Sequence, residues 1–218
     1  PEALKDQDFV VFGMRACDVK GVEVLDKVFL VDPVDTFYAA RRAHGTIVAM
    51  ACHEPEETCF CKVFGVDCAE PVADVATWMI DGELYWKALS EKGEALTSAV
   101  AELLTDADEA KVEEEKAAIR AIVEKLPYSN LSLEGWNGDV LLDKFNSPVW
   151  EELYKPCLAC GTCTFVCPTC QCYDIKDYDT GHGVKRYRCW DSCMYSDFTM
   201  MAHGNNRTSQ MQRFRQRF

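Results

Sequence analysis

The 218 residues, 48% hydrophobic and 27% charged, suffice for one good core, or for one core plus a small cofactor domain. A formal net charge of −13 argues against nucleic acid or an anionic membrane as the main partner. No apolar run is long enough to span a membrane, and the amino terminus, PEALKDQDFVVF, has neither a basic nor a long apolar leader segment.

In chain order, the first stretch reads as α/β. FVVFGM (9–14) is a short apolar run rich in β-branched residues, and KGVEVLDKVFLV (20–31) has apolar positions at helical spacing. TIVAMAC (46–52) is a second strand running straight into a cysteine, and ELYWKAL (83–89) alternates after the turn signal Asp81-Gly82. From about Glu94 to Leu126 the pattern is helical. Leu96, Val100, Leu103 and Leu104 form one apolar face, and Ile119, Ile122, Val123 and Leu126 form another, with Pro127 as the stop. The acidic run between them (106–115) reads as a solvated face. A further helix is expected over 140–153, followed by cysteine-rich sequence over 157–193.

The expected fold class is therefore α+β or α/β. An α/β domain (1–93) with cysteine-rich strand-end loops leads through a mainly helical connector (94–153) to a ferredoxin-like iron–sulfur cluster domain (154–218). Because the chain starts at Pro1 within running sequence, it reads as part of a longer protein, with the last domain truncated.

Thirteen cysteines dominate the chemistry. Their odd number and close spacing fit a disulfide scaffold badly, and metal ligation in a reducing cytoplasm is the better class. Cys157, Cys160, Cys163 and Cys167, followed by Pro168, form C-x2-C-x2-C-x3-C-P, the bacterial ferredoxin run for a [4Fe–4S] cluster. Thiolates at this spacing, on a loop coiled round a cube, each reach one iron corner. Gly161 removes a side chain where the loop must approach that cube. Zinc sites instead pair two C-x2-C knuckles across a gap.

In two-cluster ferredoxins the fourth cysteine of such a run binds the other cluster. No second C-x2-C-x2-C occurs in the 218 residues. Either Cys167 closes the first cluster locally, or a second run lies beyond Phe218; the truncated look of the chain favours the latter. Cys170, Cys172, Cys189 and Cys193 are candidate ligands of a further cluster, Cys189 being the least certain of them. Cys17, Cys52, Cys59 and Cys61 form a third candidate set, because strand ends of an α/β sheet lie side by side at its carboxyl edge. Cys68 is left over as an inert thiol. His53 reads as an ordinary histidine and Asp18 as a cap of the next helix. The basic tail, Arg207, Arg213, Arg215 and Arg217, reads as a solvated helix or a docking surface.

The segments FGMRACDVKGVEVLDKVFL (12–30), YAARRAHGTIVAMACHEPEETCFC (38–61), CLACGTCTFVCPTCQCYDI (157–175) and WDSCMYSDFTMMAHG (190–204) carry a resemblance. They resemble the iron–sulfur β subunit of soluble sulfhydrogenases, the iron–sulfur subunit of anaerobic sulfite reductase and the related subunit of heterodisulfide-reductase-linked NADH dehydrogenases. The resemblance implies an electron-transfer subunit with two to four [4Fe–4S] clusters in the full-length protein. It also implies a cytoplasmic hetero-oligomer in which a flavin/NAD(P)-binding subunit works together with a catalytic redox subunit. In such proteins a tail like RFRQRF (213–218) runs on towards another C-x2-C-x2-C-x3-C-P. No G-x-G-x-x-G, P-loop or G-x-S-x-G is present, so no catalytic residue is expected. The alternatives are a redox enzyme subunit binding its own flavin or substrate near Cys17 and Cys52, and a zinc-stabilised assembly module.

Overall fold

A computed structural model describes residues 6–218. The reading of the amino terminus as leaderless falls partly on residues 1–5, which lie outside the described residues. The chain divides into two compact units, Pro1–Leu133 and Glu134–Phe218.

The first unit is built on a four-stranded sheet of order β1-β2-β3-β4, formed by β1 (Phe9–Arg15), β2 (Gly45–Met50), β3 (Val75–Ile80) and β4 (Glu83–Ala88). The first three strands are parallel and β4 returns antiparallel through the Asp81-Gly82 turn. In β4 only Tyr85 is buried, so the alternation that marks this strand places one ring in the core. The sequence reading did not single out β3. Its residues Val75 to Trp78 are all buried, and a strand covered on both faces has no alternation to reveal it.

The helix expected over 20–31 starts earlier, because β1 runs directly into α1 (Ala16–Phe29). Asp18 is consequently not its cap. The cap position is Arg15, with no side-chain cap bond, and Asp18 lies in the first turn, where a negative charge complements the helix dipole. A short α2 (Thr36–His44), N-capped by Asp35, follows. Asp26 of α1 ties the two helices by accepting from Tyr38 Oη (2.8 Å) and Arg42 Nε (3.1 Å).

Asp74 fixes the lower edge of the sheet. Its carboxylate accepts from the Ile47 amide (2.8 Å) and Ser90 Oγ (2.6 Å), and its carbonyl accepts from the Leu89 amide. The helical stretch 94–126 is two helices. In α3 (Glu91–Ala99), Ser90 is the cap; in α4 (Glu109–Val123), Asp108 is the cap. The acidic run is divided between the loop and the outer face of α4. Ile119 and Val123 pack with Ala51, Cys68, Ala69, Ala76, Trp78 and Tyr85 in the main core, whereas Leu103 is exposed.

In the second unit the helix expected over 140–153 is two short ones, α5 (Gly138–Phe145) and α6 (Trp150–Leu153). Pro148 disfavours helical backbone at Ser147 and separates them. A one-turn α7 (Thr162–Val166) lies within the ferredoxin-type run. An antiparallel hairpin of β5 (Tyr173–Asp179) and β6 (Val184–Trp190) follows, then a small pair, β7 (Met200–Met201) with β8 (Gly204–Asn205), and finally α8 (Gln210–Arg217). A capping box of Ser209 and Gln212 starts α8, and Phe214 packs its ring against Trp150 of α6. The residues read as a connector, 94–153, thus contribute α3 and α4 to the first unit and α5 and α6 to the second.

Among the described residues no helix is long and apolar enough to cross a membrane.

Candidate metal centre

All thirteen cysteines are free thiols. Among the described residues no three His, Cys, Asp or Glu side chains are grouped tightly enough to hold a metal ion. The thiols instead gather in three neighbourhoods, each made by a different local device.

In the ferredoxin-type run the device is a tight loop. Gly161 has φ +76°, and a Cβ there would lie 2.7 Å from the Tyr195 ring, so glycine is required both by backbone and by space. Tyr195 Oη in turn donates to the Cys160 carbonyl (3.4 Å). Polar groups then surround the sulfurs. Thr162 Oγ1 is 3.2 Å from Cys160 Sγ, and Thr169 Oγ1 is 3.2 Å from Cys167 Sγ. Gln210 Nε2 donates to Cys157 Sγ at 3.2 Å. Arg217 donates through Nη2 to the Cys163 carbonyl at 2.6 Å, and its positive charge acts on Cys167.

These surroundings shift two of the thiols, Cys160 and Cys167, towards the thiolate. Thr162, through its hydroxyl and its amide, holds the Cys160 thiol below its ordinary pKa. Partial burial pushes Cys167 upward, but Thr169 and the Arg217 guanidinium outweigh it and leave this thiol lowered as well. Arg217 Nε is buried without an acceptor. Four free thiols, polar partners at three of the sulfurs and the Gln210 N–H donated to Cys157 fit a [4Fe–4S] cluster, whose charge is stabilised by N–H donors at sulfur.

The second neighbourhood is made by the hairpin. Cys172 immediately precedes β5, and Cys193 follows β6 by three residues. The backbone bond from the Asp191 amide to the Cys172 carbonyl (3.2 Å) closes the hairpin base. Cys172 interacts electrostatically with Cys193, and Cys170 with Cys172. Cys170 and Cys193 are buried, and burial raises the pKa of Cys170 and Cys172. Cys189 is placed differently, on β6 opposite Asp174.

The third neighbourhood lies at the carboxyl edge of the parallel strands. Cys17 opens α1 just after β1, and Cys52 follows β2. Cys59 and Cys61 sit where the next loop enters a 3-10 turn, Cys61–Phe64. Cys61 interacts electrostatically with Cys17 and Cys52, and Cys59 with Cys52. Burial raises both Cys17 and Cys52, and Arg15 partly offsets the rise at Cys52. Arg15 also donates to the Ala51 carbonyl (2.9 Å), bracing the loop that carries Cys52.

Cys68 belongs to this neighbourhood too. Its sulfur is 3.7 Å from that of Cys61, and its carbonyl accepts from the Cys52 amide at 2.9 Å. Burial in the core, then the neighbouring Cys61, pushes its thiol up to about 12.

The sequence reading missed Thr162, Thr169, Gln210, Tyr195 and the contact of Arg217 with the cysteine run. The threonines had a local signal, since each stands two residues after a run cysteine. The others are brought in by folding.

Residues 156–218 match the family model of the 4Fe-4S dicluster domain. Over 98% of its length the chain is 35% identical to sulfhydrogenase 2 subunit beta of Pyrococcus furiosus. The chain spans 64% of that relative's length. No solved structure matches it. Residues 156–218 are thus a 4Fe-4S dicluster domain that binds [4Fe–4S] clusters, set in a chain related almost throughout to a sulfhydrogenase beta subunit.

Proposed function

We propose that this protein is an iron–sulfur electron-transfer subunit. It relays single electrons between a flavin/NAD(P)-binding partner and a catalytic redox subunit of the hydrogenase, sulfite reductase or heterodisulfide reductase type. The observation that carries the reading is the C-x2-C-x2-C-x3-C-P run, whose thiols are free, with the Gln210 N–H donated to Cys157 and threonine hydroxyls beside Cys160 and Cys167. Clusters bound there supply one-electron storage.

The chain's own residues do the rest. Cys157, Cys160, Cys163 and Cys167 hold iron, with Cys167 serving either the same cluster or a neighbouring one. Cys17, Cys52, Cys59 and Cys61 hold a second site at the sheet edge, and Cys170, Cys172, Cys193 and Cys189 a further one. Burial and hydrogen bonds to sulfur set how readily each site accepts an electron. Iron binding at the raised thiols of the first unit releases their protons. No acid, base or nucleophile is required of this chain.

The relative's name designates a subunit, which supports work within a hetero-oligomer; a reducing, cytoplasmic setting accords with so many free thiols. Iron analysis and EPR of the dithionite-reduced, anaerobically purified protein test the reading. About four irons per site with little zinc, and signals of reduced [4Fe–4S] centres, are expected. Zinc in place of iron would overturn it, and flavin absorbance bands from the isolated chain would favour a flavin-binding subunit.

A further inference from the structure

Helix α8 carries two groups aimed at the cysteine run. Gln210 and Arg217 are seven residues apart, about two helical turns, so they share one face and stand roughly 10 Å apart along the axis. Gln210 Nε2 donates to Cys157 Sγ at 3.2 Å, and Arg217 Nη2 donates to the Cys163 carbonyl at 2.6 Å. The face is fixed from several sides. Arg213 donates to Gln210 Oε1 (3.0 Å), which commits the amide oxygen and leaves the NH2 group for sulfur. Phe214 stacks against Trp150 and Phe218, and the Arg215 guanidinium lies 4.0 Å over the Phe145 ring.

We infer that Arg217 and Gln210 are positioning residues that raise the reduction potential of iron–sulfur centres at the two ends of the 157–167 run. The inference rests on the reading that this run holds iron. Adding an electron increases negative charge at the ligand sulfurs. A nearby N–H donor therefore stabilises the reduced state more than the oxidised one, and a guanidinium does so more than a neutral amide. The acceptor of Arg217 is a carbonyl of the cysteine run, and its Nε is buried with no acceptor.

An EPR-monitored redox titration of the complete, anaerobically purified protein tests this, with iron per chain measured in parallel. At wild-type iron content, Arg217→Gln is expected to move a midpoint potential to more negative values. Arg217→Lys should move it less, since the charge stays while the planar fork is lost. Gln210→Leu should give a smaller negative shift than Arg217→Gln, and Gln216→Ala, at an exposed neighbouring position, none. Unchanged midpoints in Arg217→Gln and Gln210→Leu would overturn the proposal. If Arg217→Gln loses iron, Gln210→Leu decides, and an unshifted potential there is equally fatal. Wild-type protein without iron at the run would instead remove the functional reading itself, a result visible before any variant is made.

Discussion

Arg15 stands opposite Met50 in the parallel ladder between β1 and β2. Cys17 and Cys52 therefore leave the sheet from the same rung, each two residues beyond its partnered residue. That register, and not their separation in sequence, makes them neighbours. A one-residue slip would turn every side chain of one strand to the other face and disperse the pair. The bulge at Gly13 (φ +81°) lies just before this rung and sets it.

Substituting this edge should separate ligands from spectators. Cys52→Ser is expected to lower iron by about four per chain while leaving the ferredoxin-type signals in place. Cys68→Ser should retain the full iron content, because Cys68 is buried in the main core with Ala69, Trp78 and Ile119. Iron analysis of both variants checks this. Iron loss in Cys68→Ser matching that in Cys52→Ser would make Cys68 a ligand.

Gly161→Ala is expected to weaken the ferredoxin-type loop for two separable reasons. The left-handed backbone costs a side chain roughly 1 kcal/mol or more, and the added Cβ meets the Tyr195 ring at 2.7 Å. Adding Tyr195→Ala should relieve only the steric part. Thermal unfolding of the two variants should therefore place the double variant above Gly161→Ala, after correction for Tyr195→Ala alone.

Gly93→Ala probes the first unit. A Cβ there would fall 2.0 Å from the Asp74 carbonyl oxygen, a backbone atom that cannot step aside without disturbing the start of β3. Overpacking of this kind costs about 1–3 kcal/mol or more. Denaturant unfolding should show the loss; a midpoint equal to wild type would mean that α3 shifts freely on the sheet.

Asp67 supplies a pH signature. Partial burial raises its pKa, but Arg120, the Ala69 amide and Lys116 together leave it below the ordinary carboxylate value. The Arg120 bond, 2.7 Å between half-exposed groups, contributes under about 1 kcal/mol. With a folded pKa below the unfolded one, that contribution is complete above the unfolded value of about 4. It disappears as the pH falls through the folded value. Asp67→Asn should therefore be slightly less stable than wild type at pH 7, and the two should converge in acid. A gap that persists at low pH would assign the difference to packing.

Local chemistry was open to reading from the chain alone. The run from Cys157 to Pro168 announces an iron–sulfur loop because such a loop needs only consecutive thiols, a glycine and a proline. The strands at Phe9 and Gly45 announce themselves by apolar runs that end in Cys-bearing loops. The sequence was misleading where a rule acts between neighbours across space. Strand β3 shows no alternation because it is covered on both faces, and the helix expected over 140–153 breaks at Ser147-Pro148.

The tertiary structure decided which groups face the sulfurs. Cys157 and Gln210 are 53 residues apart, and Cys163 and Arg217 are 54 apart, so no local pattern could pair them. The basic tail, which reads as a solvated helix or a docking surface, lays Arg215 over the Phe145 ring and Arg217 on the Cys163 carbonyl. The reason is physical: ligand type follows from the covalent order of side chains, whereas the charge and hydrogen bonds around a ligand come from whatever packing places beside it.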